Sequence, residues 1–176
     1  MTIGTWIETF SGHKLDVFNI NKEAIDIVDI AHALSMACRF NGHLKQFLSV
    51  AEHSIIVASM VEEKHQLAAL LHDAAEAYIT DVPRPIKQML PAINELDAAL
   101  TKAIFEKYGC EYPIHEEIIA VDRELCLAEA RDSKMDVASW GEQYAYIEHT
   151  PFHWSPLEAK KYFLKMFHEM TGGTYA

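Results

Sequence analysis

The sequence predicts an all-α fold, a helical bundle carrying a small N-terminal β-hairpin, and the spacing of its apolar residues carries that prediction. Apolar positions recur at helical spacing in successive stretches from Asp26 onward, whereas strand-like alternation is confined to the segment before Phe18. No repeat, low-complexity tract or flexible linker interrupts the pattern, so a single domain over residues 1–176 is expected.

Taken in order, Trp6-Ile7-Glu8-Thr9-Phe10 and Leu15-Asp16-Val17-Phe18 flank Ser11-Gly12-His13-Lys14 and predict two short strands joined by a glycine turn, a lid or an edge. Asp26 to Arg39 predicts the first helix. Ile27, Ile30, Leu34 and Ala37 share one face, Asp29 serves as the expected N-cap of Ile30 onward, and Asn41-Gly42 is the stop. A second helix is expected from Leu44 to Glu62, with Phe47, Leu48, Ala51, Ile55 and Ala58 turned inward. A third, from Gln66 to Ile79, is apolar nearly all round and therefore expected at the centre of the fold. Pro83 and Pro85 end it and predict an extended or turn segment, because each lacks a backbone donor and restrains its predecessor. The fourth helix is expected from Ala92 to Tyr108, stopped by Gly109, and the fifth is expected to start after Pro113 and run to Asp132. Ser155 as cap, Pro156 at the first position and Glu158 at the third spell a capping box for a last helix ending near Gly172-Gly173. The aromatic-rich loop from Trp140 to Trp154 is expected to pack back on the bundle.

Composition narrows the function classes. A net charge of -11, from 26 acidic against 15 basic residues, argues against a protein that coats a nucleic-acid polymer. A small anionic substrate stays open if a cation and a few local Arg or Lys side chains reverse the sign inside one cleft. Neither a long apolar run nor a basic-then-apolar leader is present, so no membrane partner is expected and the cytoplasm is the expected location. Cys38, Cys110 and Cys126 are odd in number and lack CxxC spacing, which speaks for free apolar thiols on helices and against a disulfide framework.

The chemistry concentrates at His72-Asp73, an imidazole and a carboxylate adjacent in an apolar helix, where burial without a partner is expensive. A divalent metal ion is the expected compensation. Side chains next to each other on a helix point about 100° apart, so both reach one ion only if it lies between helices. His53 on the preceding helix and Asp122 on the fifth supply the other two ligands, giving an N/O set that admits one ion of Mn, Co, Zn, Fe or Mg. Glu76 rises from the same face one turn on, where a general base would sit, and Asp81 follows the helix end; the alternative for Glu76 is a solvated helix residue. Arg39, His43, Arg84 and Lys87 bring the positive charge that phosphate recognition needs, with surface solubility the alternative for Arg39 and Arg84.

His53 within Val50-Ala51-Glu52-His53-Ser54, the His72-Asp73 pair, Glu76, Asp81-Val82-Pro83 and Asp122 together resemble the HD-domain metal phosphohydrolases. Within that superfamily the chain is similar to the 5'-deoxynucleotidases and to the compact phage dATP triphosphohydrolases of the DatZ type. The match runs from Asp29 to Asp132. The resemblance implies an HD-domain bundle, with His53, His72, Asp73 and Asp122 as metal ligands and Glu76 and Asp81 as catalytic acids. Arg39-Phe40 matches an Arg-aromatic pair at the substrate site, where the family often has Trp in place of Phe40. The branch acting on cyclic dinucleotides carries extra histidines for a second metal, to which His65 and His115 do not align, so one ion is expected.

The expected activity is hydrolysis of the phosphate ester at the 5' carbon of a deoxynucleotide. The resemblance points first to dATP, releasing deoxyadenosine and triphosphate, and next to a 5'-deoxynucleotidase acting on monophosphates. Arg39, Phe40, His43 and Lys87 are the expected substrate contacts, and a homo-oligomer is the expected assembly. The competing readings are a catalytically silent HD module that binds a nucleotide and a helical interaction protein with a structural His-Asp pair.

Overall fold

The computed structural model describes residues 4–140 and 151–173. The protein is mainly helical, with one small antiparallel hairpin, as the apolar spacing predicts. Strands β1 (Trp6–Glu8) and β2 (Lys14–Asp16) pair with Ile7 opposite Leu15. Leu15 is fully buried and anchors the hairpin to the helices. A second anchor is Asp29, whose carboxylate accepts from the Thr9 hydroxyl (2.6 Å) and the Ser11 amide (2.7 Å) and lies 3.1 Å from His13 Nδ1. The predicted capping role of Asp29 is therefore corrected. Asp26 caps α1 (Ile27–Met36) by accepting from Val28 N, which leaves Asp29 inside the first turn and free to hold the hairpin.

Helix α2 (Val50–Met60) starts later than predicted, at a Ser49 cap that accepts from Glu52 N. The residues between α1 and α2 are held instead by a bridge between Cys38 and Ser49 and by a tight turn, Arg39–Gly42. Phe40 and Asn41 in that turn both adopt left-handed backbone angles, φ 52 and φ 55. Such angles are unusual for a bulky residue like Phe40 and mark the Arg39-Phe40 corner as held by its surroundings. Helix α2 is buried along most of its length and touches α1, α3, α7 and α8, and beside it Ala69, Leu70, Leu71, Ala74 and Ala75 of the third helical stretch are buried as predicted.

The third helix is broken in the middle. After a short turn, Glu63–His65, helix α3 covers only Gln66–Leu70, and α4 covers Glu76–Ile79. Between them the backbone bonds reach back three residues, from Ala74 N to Leu71 O (3.0 Å) and from Glu76 N to Asp73 O (3.0 Å). The cause is local. The Ala69 carbonyl, which a regular helix would offer to the amide of Asp73, is taken by the His72 ring at Nδ1 (2.7 Å). The chain tightens into 3-10 geometry at the His-Asp pair, a distortion often found where a helix carries function.

Helix α4 exits through Thr80, whose φ of 68 and ψ of 161 are strained for a β-branched residue and turn the chain into Asp81. A short non-helical segment, residues 80–83, follows as predicted, and the prolines then also open a helix. Pro83 precedes α5 (Arg84–Met89) and Pro85 falls in its first turn, where a missing amide hydrogen is harmless. Helix α6 (Pro91–Tyr108) ends at Gly109 in the left-handed conformation (φ 74), as predicted. Helix α7 (Glu116–Asp132) begins after Pro113, with His115 as its cap. Helix α8 (Pro156–Thr171) has the capping box read from Ser155, Pro156 and Glu158, and stops at Gly172.

Helix α8 lies across α1, α2 and α3 and buries Phe163, Leu164 and Phe167 against Ile30, Leu34, Val57 and Leu70 in one core. The approach to α8 is fixed by Glu52, a buried carboxylate that accepts from the amides of Phe152, His153 and Trp154 at 2.7–3.0 Å. This part of the aromatic loop does pack back, and Trp140 approaches Phe40 (ring centroids 6.5 Å apart); the stretch 141–150 lies outside the described residues. The cysteines are free, but only Cys126 lies on a helix: Cys38 follows α1 and Cys110 follows α6. Among the described residues no helix is long and apolar enough to cross a membrane.

Candidate metal centre

Helices α2 and α7 and the broken α3–α4 segment meet at one polar point. His53, His72, Asp73 and Asp122 each direct one ligand atom there, all within 4.8 Å of one another. His53 Nε2 lies 2.9 Å from Asp122 Oδ1 and 3.9 Å from Asp73 Oδ2. His72 Nε2 lies 3.2 Å from Asp73 Oδ2 and 3.8 Å from Asp122 Oδ1. Ligands bound at ~2.0–2.2 Å from one ion are spaced roughly 3–4.4 Å from each other. The cluster therefore has the span of a coordination shell after a small contraction.

The far side of each histidine supports the same use. His53 Nδ1 donates to Glu129 Oε1 (2.8 Å) and His72 Nδ1 donates to the Ala69 carbonyl (2.7 Å). Both rings are thus locked with Nε2 toward the cluster, the arrangement that metal-bound histidines use to fix their tautomer. His72 Nε2 is buried and has no hydrogen-bond partner, although Asp73 is close. Burial opposes charge on both rings, yet the carboxylates around them raise the pKa of His53 and raise that of His72 well above the usual histidine range. Burial likewise works against Asp73 and Asp122, but the histidines hold Asp73 down at about 2 and Asp122 well below the carboxylate range. The site calls for positive charge between its acids and its imidazoles, which a divalent cation supplies. These four residues can hold a metal ion. The Asp122 side chain is 37% exposed, so the site opens to solvent on one side.

Glu76 is buried at the start of α4, with Oε2 lacking any hydrogen bond and Oε1 3.6 Å from Lys87 Nζ. Its burial, together with the charges of Asp73 and Asp81, lifts its carboxyl well above the usual range. Asp81, half-buried beyond Thr80, is raised chiefly by burial and senses Arg39, Asp73 and Lys87. Arg39 is 8% exposed, with Nη1 3.8 Å from Asp73 Oδ2. Phe40 stands beside it, its ring 5.5 Å from the guanidinium. Lys87 on α5 donates to Asp97 Oδ2 (2.9 Å) as well as facing Glu76. His43 is exposed after the Arg39–Gly42 turn and makes no hydrogen bond or ion pair to the cluster among the described residues, and Arg84 is exposed at the start of α5.

One residue of the site went unread. Glu129 is fully buried on α7, with one oxygen on His53 and the other 3.2 Å from both Nε and Nη2 of Arg39. Burial opposes its charge, but Arg39 and His53 hold its pKa below the ordinary value. A signal was present: Glu129 lies two helical turns after Asp122, on the same face, between Ala128 and Ala130. An acid on the buried side of a helix, in register with a ligand, points to its second sphere.

No protein-family model matches the chain. Over 136 residues it is 38% identical to the uncharacterized protein YfdR of Escherichia coli strain K12, which covers 77% of this chain and 76% of that one. It is 36% identical over 131 residues to an uncharacterized protein of Rhodobacter capsulatus, covering 66% of this chain and 67% of the other.

Proposed function

The chain belongs to the same protein family as YfdR of Escherichia coli, and for this member we propose metal-dependent hydrolysis of the phosphate ester at the 5' carbon of a deoxynucleotide, with dATP as the first substrate to test. The observation that carries the reading is the convergence of His53, His72, Asp73 and Asp122 in space. Their order along the chain is the one the HD-domain phosphohydrolases show, and two further acids stand beside them. When bound, a divalent ion at these ligands acidifies a water and polarises a phosphoryl oxygen.

The rest of the chemistry falls to the protein. Glu76, whose buried Oε2 makes no hydrogen bond in the structure and whose carboxyl is raised by burial, exchanges a proton with the attacking water or the leaving oxygen. Asp81 orients that water or a sugar hydroxyl. Arg39, held in place by Glu129, and Lys87, held by Asp97, offset the negative charge on the phosphoryl oxygens. Phe40 forms one wall for the base, and His43 is an outer phosphate contact.

One observation favours a second reading, a 5'-deoxynucleotidase acting on monophosphates. Arg39 and Lys87 are already engaged by Glu129 and Asp97, which leaves less positive charge for three phosphates than for one. Purified protein with Mn2+ or Co2+, given dATP and dAMP separately, is expected to release deoxyadenosine and triphosphate from dATP. Phosphate from dAMP alone moves the assignment to the second reading. Binding of nucleotide without any product, across all dNTPs and dNMPs, overturns both and leaves a nucleotide-binding module.

A further inference from the structure

About 10 Å along α7 from Asp122, at seven residues of ~1.5 Å rise each, the helix start carries a second group of ligating side chains. We propose that His65, His115 and Glu117 form a second divalent-cation site that takes a borderline transition ion such as Zn2+. Their ligand atoms lie within 4.8 Å of one another. His65 comes from the turn that leads into α3, His115 is the cap of α7, and Glu117 is in its first turn.

The two imidazoles stack with ring centroids 4.0 Å apart and planes 20° from parallel, so one ring turns about its own side chain to bring both nitrogens onto one ion. His65 Nε2 is buried without a hydrogen bond, 3.8 Å from Glu117 Oε2. A buried ring nitrogen with no partner is unfavourable, and an ion between it and the carboxylate satisfies both. The other Glu117 oxygen accepts from the amide of Glu62 (3.1 Å), which fixes the carboxylate in place. His115 Nδ1 accepts a long bond from Glu117 N (3.2 Å), and binding an ion exchanges that bond for a stronger one. The positive end of α7 disfavours a cation here, but Glu116 and Glu117 in its first turn and the adjoining Glu62 add negative charge at the same end. Two imidazoles and one carboxylate select zinc, cobalt or nickel over magnesium or calcium. The ion joins the segment leading to His72 and Asp73 to the helix that carries Asp122 and Glu129, so it braces both halves of the first centre. The site stands independently of the proposed hydrolysis, because it requires only metal binding.

Metal-stripped full-length protein titrated with Zn2+ and followed by calorimetry and elemental analysis tests this. Two ions per chain are expected. His115→Ser keeps a capping oxygen for α7 while removing the imidazole, and His65→Gln removes the other ring. Outer partners of metal ligands alone are worth ~10–100-fold in affinity, so either change is expected to weaken the second ion by at least about tenfold. Both variants keep the first ion. In Asp73→Ala protein one zinc remains and still raises the Tm, and adding His115→Ser removes it. A single ion in the wild type that Asp73→Ala removes overturns the proposal. So does a second ion whose affinity neither His115→Ser nor His65→Gln changes. Comparing the wild type with His115→Ser alone decides the matter if Asp73→Ala does not fold.

Discussion

Asp73→Ala is expected to give a folded protein that has lost the ion of its first centre and at least about 10^3-fold of its turnover. The magnitude follows from several kcal/mol of charge stabilisation that a catalytic ion supplies, at a factor of ten per ~1.4 kcal/mol. Folding should survive, because the Asp73 side chain is 20% exposed and packs no part of the apolar core. Its removal also takes away one of the charges that, after burial, raise the Glu76 carboxyl, so the Glu76 pKa falls. Elemental analysis, circular dichroism and turnover on the same preparation check the prediction. A folded Asp73→Ala protein that retains its ion or its turnover would remove Asp73 from the ligand set.

Glu129→Ala is expected to have the largest effect on stability of any single change at the site. The carboxylate is fully buried between His53 and Arg39, and removing it leaves the Arg39 guanidinium, itself nearly buried, without its strongest partner. Breaking a buried pair in this way is worth ~3–5 kcal/mol. For a chain of this size that is a fall in Tm of about 10 °C. It also frees the His53 ring to turn, so affinity for the first ion should fall by ~10–100-fold. Glu129→Gln, which keeps an acceptor for His53 but not the charge, should fall between wild type and Glu129→Ala in both measurements. Thermal unfolding and metal titration read the two effects separately. A Glu129→Ala protein with unchanged Tm and unchanged affinity would contradict the positioning role.

The four ligand candidates were legible because each places a polar group where the pattern demands an apolar one. His53 falls in the inner run of α2, and His72 and Asp73 interrupt an otherwise apolar stretch. Glu76 was legible for the same reason, between Ala75 and Ala77, and the structure does bury it. The capping box at Ser155 was read to the residue because a cap is local: its donors and acceptors lie within one turn.

What the sequence left hidden depends on partners far away in the chain. Asp29 has the residue type of a cap, but its partners Thr9, Ser11 and His13 come from the hairpin, and Asp26 takes the capping role. The break at Leu71 follows from the His72 ring claiming a backbone carbonyl, which helical periodicity cannot register. Pro83 and Pro85 carry the same signals whether they follow one helix or begin the next, and here they do both, because α5 starts directly after the non-helical residues 80–83. Glu129 and Arg39 are ninety positions apart, so nothing near either in the sequence announces the pair.

The central claim, that this is a phosphohydrolase working through an ion at His53, His72, Asp73 and Asp122, is tested most directly by reconstitution. His115→Ser protein, which removes a ligand of the proposed second site, is stripped with chelator and titrated with Mn2+ or Co2+ while deoxyadenosine release from dATP and dAMP is followed. Release is expected to be absent in the stripped protein, to rise in proportion to the ion bound, and to level off at one per chain. Release at the same rate from the stripped protein, or none when the centre is filled, would contradict it.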